Sequence, residues 1–437
     1  PIDVQKAEIG EYASWQRAEA RQQSYDATHE ITFLIEDLGK AERPVMLIGG
    51  GVRSRGAIEA LDTLANALGI PLFPTWNALD VVSSDHPWYG GRIGTYGAQG
   101  RNFAVQNADL LIAVGCRISG RITGGRPENF ARGAKKYVVD VDPALLKEKN
   151  QEVKTDVSIF SDAEAFLREL ERRLRDARTE CAGSAWVDRR EWMNATARWR
   201  EIYDPVTDAM FAQEPVHFYA FVRQLSMMAP SNAVIVYDCG GNAVVMNHAF
   251  MTKRGQRYFS NNGNSPMGFS FAAAIGAWFA DPKRPIICVI GDGGMQMNIQ
   301  ELQTLKNYGA DVKVFILDNR CYGITQAFQR SHYPDRPPEA SGPSNYSVPD
   351  FCAVAHAYGI RTWRTTSNED TDRVIDWAMR PGAAVVVVDS PGFSEYWPAV
   401  KEWAQPIEDM SPALPRDEFR ANMIIDPLSG WETGEYK

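Results

Sequence analysis

The chain has 437 residues, with 46 Lys and Arg against 55 Asp and Glu (formal net charge −9), 44% hydrophobic and 23% charged residues. This length predicts two or three domains with sizeable cores and excludes wholesale disorder, collagen and a small disulfide scaffold. An acidic chain without a basic block is not a general nucleic-acid binder, though backbone N–H groups and a metal ion can still hold an anionic phosphate.

Residues 1–30 are polar and read as a linker. The pattern then predicts a helix over Ile31–Leu38 and a strand over Pro44–Ile48, closed by Gly49-Gly50-Gly51. A helix follows over Ala57–Leu68, then strands over Ile70–Phe73, Ala108–Val114 and Tyr137–Val141. Short apolar runs alternating with helices predict a parallel sheet covered on both faces. Residues 31–172 are expected as one such domain. The charged helical stretch 163–200, with Trp186, Trp192 and Trp199, suggests a connector that packs between domains, bounded at 173–214. A second domain is expected over 215–400, with strands Ala233–Tyr237, Ile286–Ile290, Val312–Leu317 and Ala383–Val388 and helices Phe269–Phe279 and Asn298–Tyr308. The fold class is therefore α/β, two Rossmann-like, doubly wound parallel-sheet domains. Residues 330–349, rich in Pro and Ser, read as a mobile loop, and 401–437 as a polar tail carrying Pro406, Pro412, Pro415 and Pro427.

Cys116, Cys181, Cys239, Cys288, Cys321 and Cys352 form no CxxC pair. They read as free thiols in a reducing, cytoplasmic setting. No apolar run reaches 18 residues, so no membrane span is expected, nor is a signal peptide.

The chemistry concentrates in Ile290-Gly291-Asp292-Gly293-Gly294 and Leu317-Asp318-Asn319-Arg320-Cys321-Tyr322-Gly323. Asp292 ends an apolar strand, where α/β sheets bind ligands. Gly293 and Gly294 permit close backbone approach, and a helix N-terminus follows. A second strand ends at Asn319. A carboxylate, an amide oxygen and a backbone carbonyl at neighbouring strand ends suit Mg²⁺ bridging to a diphosphate. Gly-Asp-Gly alone is also an ordinary strand-to-helix turn. The second oxygen ligand and Tyr322-Gly323 make the pair specific.

These two elements resemble the thiamine-diphosphate motif, with Asp318 in place of its first Asn. The run Gly294-Met295-Gln296-Met297-Asn298-Ile299-Gln300-Glu301-Leu302 and the run from Met267-Gly268-Phe269 to Ala277 resemble the acetolactate synthase large-subunit family. The resemblance implies thiamine diphosphate and Mg²⁺, with metal ligands Asp292, Asn319 and the Cys321 carbonyl. It implies cofactor contacts at Gly240, Gly241, Asn242, Gly291, Gly293, Gly294, Tyr322, Gly323 and Ile324. At residues 241 and 242 the family has Gln-His. Met267 takes the place of the family's apolar wedge beneath the cofactor, and core packing is the alternative use of such a Met. Residues 31–170 resemble the family's central domain, which binds FAD in acetolactate synthases. FAD is thus a further candidate cofactor, at Gly49, Gly50, Thr75, Trp76, Tyr96, Gly115, Arg117, Arg121 and Asp140. Ser119-Gly120 replaces two Asp residues there, and Gly49-Gly50-Gly51 also reads simply as a tight turn.

In this family a Glu on a preceding pyrimidine-binding domain activates the cofactor. The resemblance begins at the end of that domain, so no Glu in this chain is assigned the role. The expectation is a split subunit or a piece of a longer chain, completed by a pyrimidine-domain partner and forming a dimer or tetramer. The implied activity is decarboxylation of a small 2-oxo acid and transfer of the acyl unit to an acceptor. The alternatives are a C–C hydrolase or acyl-CoA lyase with the same cofactor, and a non-catalytic subunit. Phe328 stands where acetolactate synthases have a Trp that shapes the acceptor pocket, or else packs in the core. His332 and Tyr333 are candidates to close over substrate, with solvent exposure as the alternative for His332. His248 reads as an ordinary helix residue.

Overall fold

The computed structural model describes residues 2–8, 10, 25–53, 56–147, 153–180, 186–338, 342 and 345–436. Cys181 and parts of the expected 1–30 linker and 330–349 loop lie outside these residues. Two parallel sheets organise the described chain. The first comprises β1 (Pro44–Ile48), β2 (Leu72–Pro74), β3 (Leu110–Val114), β4 (Lys135–Asp140) and β5 (Val157–Phe160), in the order β2-β1-β3-β4-β5. The second comprises β6 (Val234–Tyr237), β7 (Arg257–Phe259), β8 (Ile286–Gly291), β9 (Val312–Asp318), β10 (Arg361–Thr365) and β11 (Ala384–Asp389), in the order β10-β11-β9-β8-β6-β7. The α/β, doubly wound reading is correct for both.

Period-two alternation drives this arrangement. On β1, Met46 and Ile48 enter one core cluster while Val45 and Leu47 enter another on the opposite face. On β6, Ile235 and Tyr237 face one side and Val234 and Val236 the other. Strands buried on both faces read as continuous apolar runs, which is why they are conspicuous.

Three expectations change. The 163–200 stretch is two helices, Ala163–Glu180 and Arg190–Ile202. Leu167, Leu170 and Leu174 of the first bury in a core of the first sheet, so a boundary at 172/173 would cut through one of that sheet's own helices. Trp192 and Trp199 of the second cover the other face of that sheet rather than bridging two domains. The third concerns 401–437, expected as a polar tail: its described residues, 401–436, pack against the first sheet. Ile407, Phe419 and Met423 join Trp199 and Phe103 in the first sheet's core. Buried Glu408 accepts from Arg132 and from Gln106, both at 2.7 Å.

The order of the second sheet places its switch point between β6 and β8. β7 lies on one side of β6, and β8, β9 and β11 follow on the other. In such sheets the crevice beyond the strand ends at the switch point is where ligands sit.

Candidate functional site

A cavity of about 290 Å³ opens at that point. All thirteen residues expected to contact the cofactor or metal line it: Gly240, Gly241, Asn242, Met267, Gly291, Asp292, Gly293, Gly294, Asn319, Cys321, Tyr322, Gly323 and Ile324. Twelve come from the ends of β6, β8 and β9 and from the helices Gly241–Ala249, Asp292–Met297 and Gly323–His332, and Met267 from the turn before the helix Phe269–Ala280.

Asp292 is 3% exposed. Its Oδ1 accepts from the Gly293 N–H at 2.8 Å, and its Oδ2 is buried without a partner among the described residues. Burial, with the nearby Asp318 charge, pushes this carboxyl up to about 7. A buried carboxylate with an unmet oxygen calls for a cation or a proton. Asn319 Nδ2 donates to the Phe393 carbonyl at 2.7 Å and lies 3.4 Å from the Tyr396 hydroxyl. That contact fixes the amide plane. No cluster of three His, Cys, Asp or Glu suited to a metal occurs among the described residues. A metal here would instead use the Asp292 carboxylate, the Asn319 amide oxygen and a backbone carbonyl, a donor set suited to Mg²⁺.

Crowding requires glycine at four of these positions, 241, 293, 294 and 323. A Cβ on Gly241 or on Gly323 would stand 2.2 Å from the Tyr396 hydroxyl. Gly240 adopts φ 73°, in the left-handed region. Both amide atoms of Asn242 are buried without partners among the described residues.

Met267 is 39% exposed and borders the cavity, so its side chain is not absorbed in a core. Its turn is clamped from two sides. Asp238 Oδ2 accepts from the Gly268 N–H at 2.9 Å, and Asn298 Nδ2 donates to the Gly268 carbonyl at 2.7 Å. Burial pushes the Asp238 carboxyl up to about 6. Asp318 lies 3.8 Å from Arg364, which with Arg320 also pairs with Asp389. Two guanidinium groups thus lie near the acidic residue that replaces the motif's Asn, while burial and the Asp389 charge still hold its carboxyl above the usual range.

A second cavity, about 640 Å³, lies at the ends of β1, β2 and β3. Gly50, Thr75, Trp76, Gly115, Arg117 and Arg121 line it, with Ser119 and Gly120. Arg121 stacks over Trp76, 5.2 Å from the ring centre. Three expected FAD positions fall elsewhere. Gly49 is spent on backbone packing, since a Cβ there would lie 1.9 Å from the Gly115 carbonyl oxygen. Asp140 Oδ1 accepts from the Asp142 N–H at the end of β4. Tyr96 lines a third cavity of about 460 Å³, with Phe328, His332, Trp397 and Trp403.

That third cavity shares Ile324 and Tyr396 with the first. Phe328 is 54% exposed and stacks on His332 at 4.1 Å, so it too lies outside the core. Tyr333 is exposed and borders none of these cavities. His248 is buried beside Tyr219, 2.9 Å from its hydroxyl. The five described cysteines are free, and no helix of the described residues is long and apolar enough to cross a membrane.

The central-domain model of the thiamine pyrophosphate enzymes matches residues 31–170, and their C-terminal TPP-binding-domain model matches 238–389. The acetolactate synthase isozyme 2 large subunit of Escherichia coli is 30% identical over 403 residues, covering 92% of this chain and 69% of that protein. The chain belongs to the acetolactate synthase large-subunit family of thiamine pyrophosphate enzymes. The probable acetolactate synthase large subunits of Methanocaldococcus jannaschii and Methanococcus aeolicus are 35% and 32% identical over 362 and 382 residues. They match 80% and 82% of this chain, which spans 58% and 62% of their own lengths.

Within this family member, several cavity residues lay outside the sequence motifs. Phe218, Asp238, Cys239, Ser265 and Tyr396 all line the first cavity. Asp238 had a signal: it follows β6 as Asp292 follows β8, just before glycines. Tyr396 had none, being 73 residues beyond Gly323 with no local pattern.

Proposed function

We propose that the chain forms the central and diphosphate-binding parts of a thiamine-diphosphate- and Mg²⁺-dependent enzyme. It would decarboxylate a 2-oxo acid and transfer the acyl unit to an acceptor, as the names of its acetolactate synthase relatives suggest. The carrying observation is the switch-point cavity, lined by the orphaned Asp292 oxygen and by Gly241, Gly293, Gly294 and Gly323, none of which has room for a side chain. The residues present fit the group.

In this reading Asp292, the Asn319 amide oxygen and the Cys321 carbonyl hold the metal. The N–H groups of the Gly240–Asn242 and Gly291–Gly294 turns receive the diphosphate. Thiamine diphosphate supplies the electron sink that decarboxylation of a 2-oxo acid needs. Met267, held by Asp238 and Asn298, gives the cofactor a firm apolar support. Phe328 and His332 line the approach on the acceptor side.

The reading includes a pyrimidine-binding domain on another chain or segment, supplying the activating carboxylate, within a dimer or tetramer of the complete unit. The incomplete span of the relatives and their large-subunit names support it. It also places FAD in the second cavity. The exposed Arg117 and Arg121 there, beside Ser119 and Gly120 in place of two acids, suit a diphosphate bridge.

The test is Asp292→Ala in the full chain, with thiamine diphosphate binding measured by calorimetry with and without Mg²⁺. The expected result is loss of the Mg²⁺-dependent component. Unchanged retention refutes the site.

A further inference from the structure

The helix Gly241–Ala249 enters the cofactor cavity with its first turn and leaves its last carbonyls deep between the two sheets. Helix-terminal carbonyls commonly lack partners within the helix; here that of Met246 accepts from the Phe250 N–H at 3.2 Å, and those of Asn247 and Ala249 have no backbone donor among the described residues. Here arginines take them. Arg92, 4% exposed, donates from Nη1 to the carbonyls of Met246 at 3.0 Å and Asn247 at 2.5 Å. Its Nη2 donates to the Phe250 carbonyl just beyond the helix. Arg223 Nε donates to the Ala249 carbonyl at 2.8 Å.

Arg223 belongs to the second sheet's own helix Phe218–Met228, but Arg92 does not. It rises from the loop after β2, on the first sheet, and that loop is rigidly held. Asn102 bonds Gly94 in both directions, at 2.9 and 3.1 Å. The Thr95 N–H donates to the Arg121 carbonyl at 3.0 Å. The guanidinium also stands 5.7 Å from the Tyr258 ring centre.

We propose that Arg92 is a positioning residue for the diphosphate group: it pins the far end of the Gly241–Ala249 helix and so sets where Gly241 and Asn242 stand in the cavity. The inference rests on the cofactor reading above. Nine helical residues span about 13 Å and are stiff along the axis. Slack at Phe250 therefore reaches Gly241 nearly undiminished. The opening turn has little slack of its own, because the Tyr396 hydroxyl already fills the space beside Gly241. A cation at the helix C-terminus also complements the dipole whose positive end faces the anion. Lysine would be a poor substitute, since one ammonium cannot reproduce a planar fork reaching three carbonyls.

The experiment measures thiamine diphosphate binding, with Mg²⁺ present, to the full chain and to Arg92→Gln, Arg92→Lys and Tyr258→Phe, well below each melting point. The Tyr258 variant removes a 2.9 Å bond to the same Met246 carbonyl and leaves the arginine in place. Expected are a loss of affinity of roughly tenfold or more for Gln, a smaller loss for Lys, and a change under about twofold for Phe. Wild-type affinity in a folded Arg92→Gln protein overturns the inference. So does a loss that follows melting temperature across all three variants. Hydrogen exchange of the unaltered chain decides the matter if the Arg92 variants do not fold. Binding should protect residues 246–250 and 92–95 together with 240–243, and protection confined to 240–243 overturns the inference. No binding by the unaltered chain overturns the cofactor reading itself, and this inference with it.

Discussion

Replacing Gly241 by Ala adds one methyl where the structure has no room. That carbon would lie 2.2 Å from the Tyr396 hydroxyl oxygen and 2.3 Å from the ring carbon bearing it, against 3.4–4 Å for ordinary contact. The ring must therefore retreat by about 1 Å, yet it is 5% exposed and bounded by Gly323 and Asn319. Overpacking of this kind costs about 1–3 kcal/mol. The better helix propensity of Ala recovers at most about 1 kcal/mol, so the clash wins. Melting should fall by a few degrees. The moving ring also removes one of the two contacts that hold the Asn319 amide, leaving its bond to the Phe393 carbonyl, so Mg²⁺-dependent thiamine diphosphate affinity should drop by about tenfold, or ~1.4 kcal/mol. Calorimetry on Gly241→Ala, Tyr396→Leu and the double variant isolates the cause. The smaller side chain should relieve the clash, giving a favourable coupling of about 1–2 kcal/mol. A single variant that melts and binds like the parent refutes the reasoning, as do purely additive losses.

Met267→Ala should lower cofactor affinity or turnover of the completed enzyme far more than it lowers melting temperature, because the side chain already meets the cavity. An activity loss that merely tracks unfolding would return Met267 to a core role. Arg121→Ala should weaken FAD retention, read as flavin absorbance of purified protein, and should leave thiamine diphosphate affinity intact. Equal flavin content in both proteins contradicts the assignment of the second cavity. His217 caps the helix Phe218–Met228 by accepting from the Tyr219 N–H at 3.2 Å, and burial pulls its pKa down to about 4. The unfolded chain then binds the extra proton between about pH 6.5 and 4, so stability rises with pH across that window. Moving from pH 7 to pH 5 should cost about 2 kcal/mol through this residue. Denaturant titrations of His217→Asn, which keeps a cap without titrating, should show that much less pH dependence.

The legible parts of the fold were those buried on both sides. β1, β3, β6, β8, β9 and β11 are apolar runs rich in Val, Ile and Leu, interrupted inside only by Lys313 of β9, and each announces itself. Of the edge strands only β2, buried along its length and read within Ile70–Phe73, does so. β10 is Arg361-Thr362-Trp363-Arg364-Thr365, partly exposed along most of its length, and β7 is three residues long. β5 likewise alternates too weakly to stand out. The packing of residues 401–436 was hidden for another reason. Ile407, Met410, Phe419 and Met423 are buried, but prolines and charges between them erase any helical or strand period. At the site, Asp292 was readable from its glycine turn, and Asn319 from its place at the end of an apolar strand just ahead of Tyr322-Gly323. Tyr396 and Phe218 reach the same cavity only through tertiary folding. Gly49, Tyr96 and Asp140 show the converse: matching a pattern locally did not bring them to the second cavity.

The polypeptide runs from the first sheet to the second and then returns, with Asn422 bonding Trp199 and Asn107 and with Glu408 seated against Arg132. One scissor cut cannot, on that route, release two self-sufficient halves. A fragment ending before residue 400 would leave Phe103 and Trp199 bare to water. Separating the halves for study would mean re-stitching residues 401–436 directly behind the Arg190–Ile202 helix, so that the first half keeps its own lining.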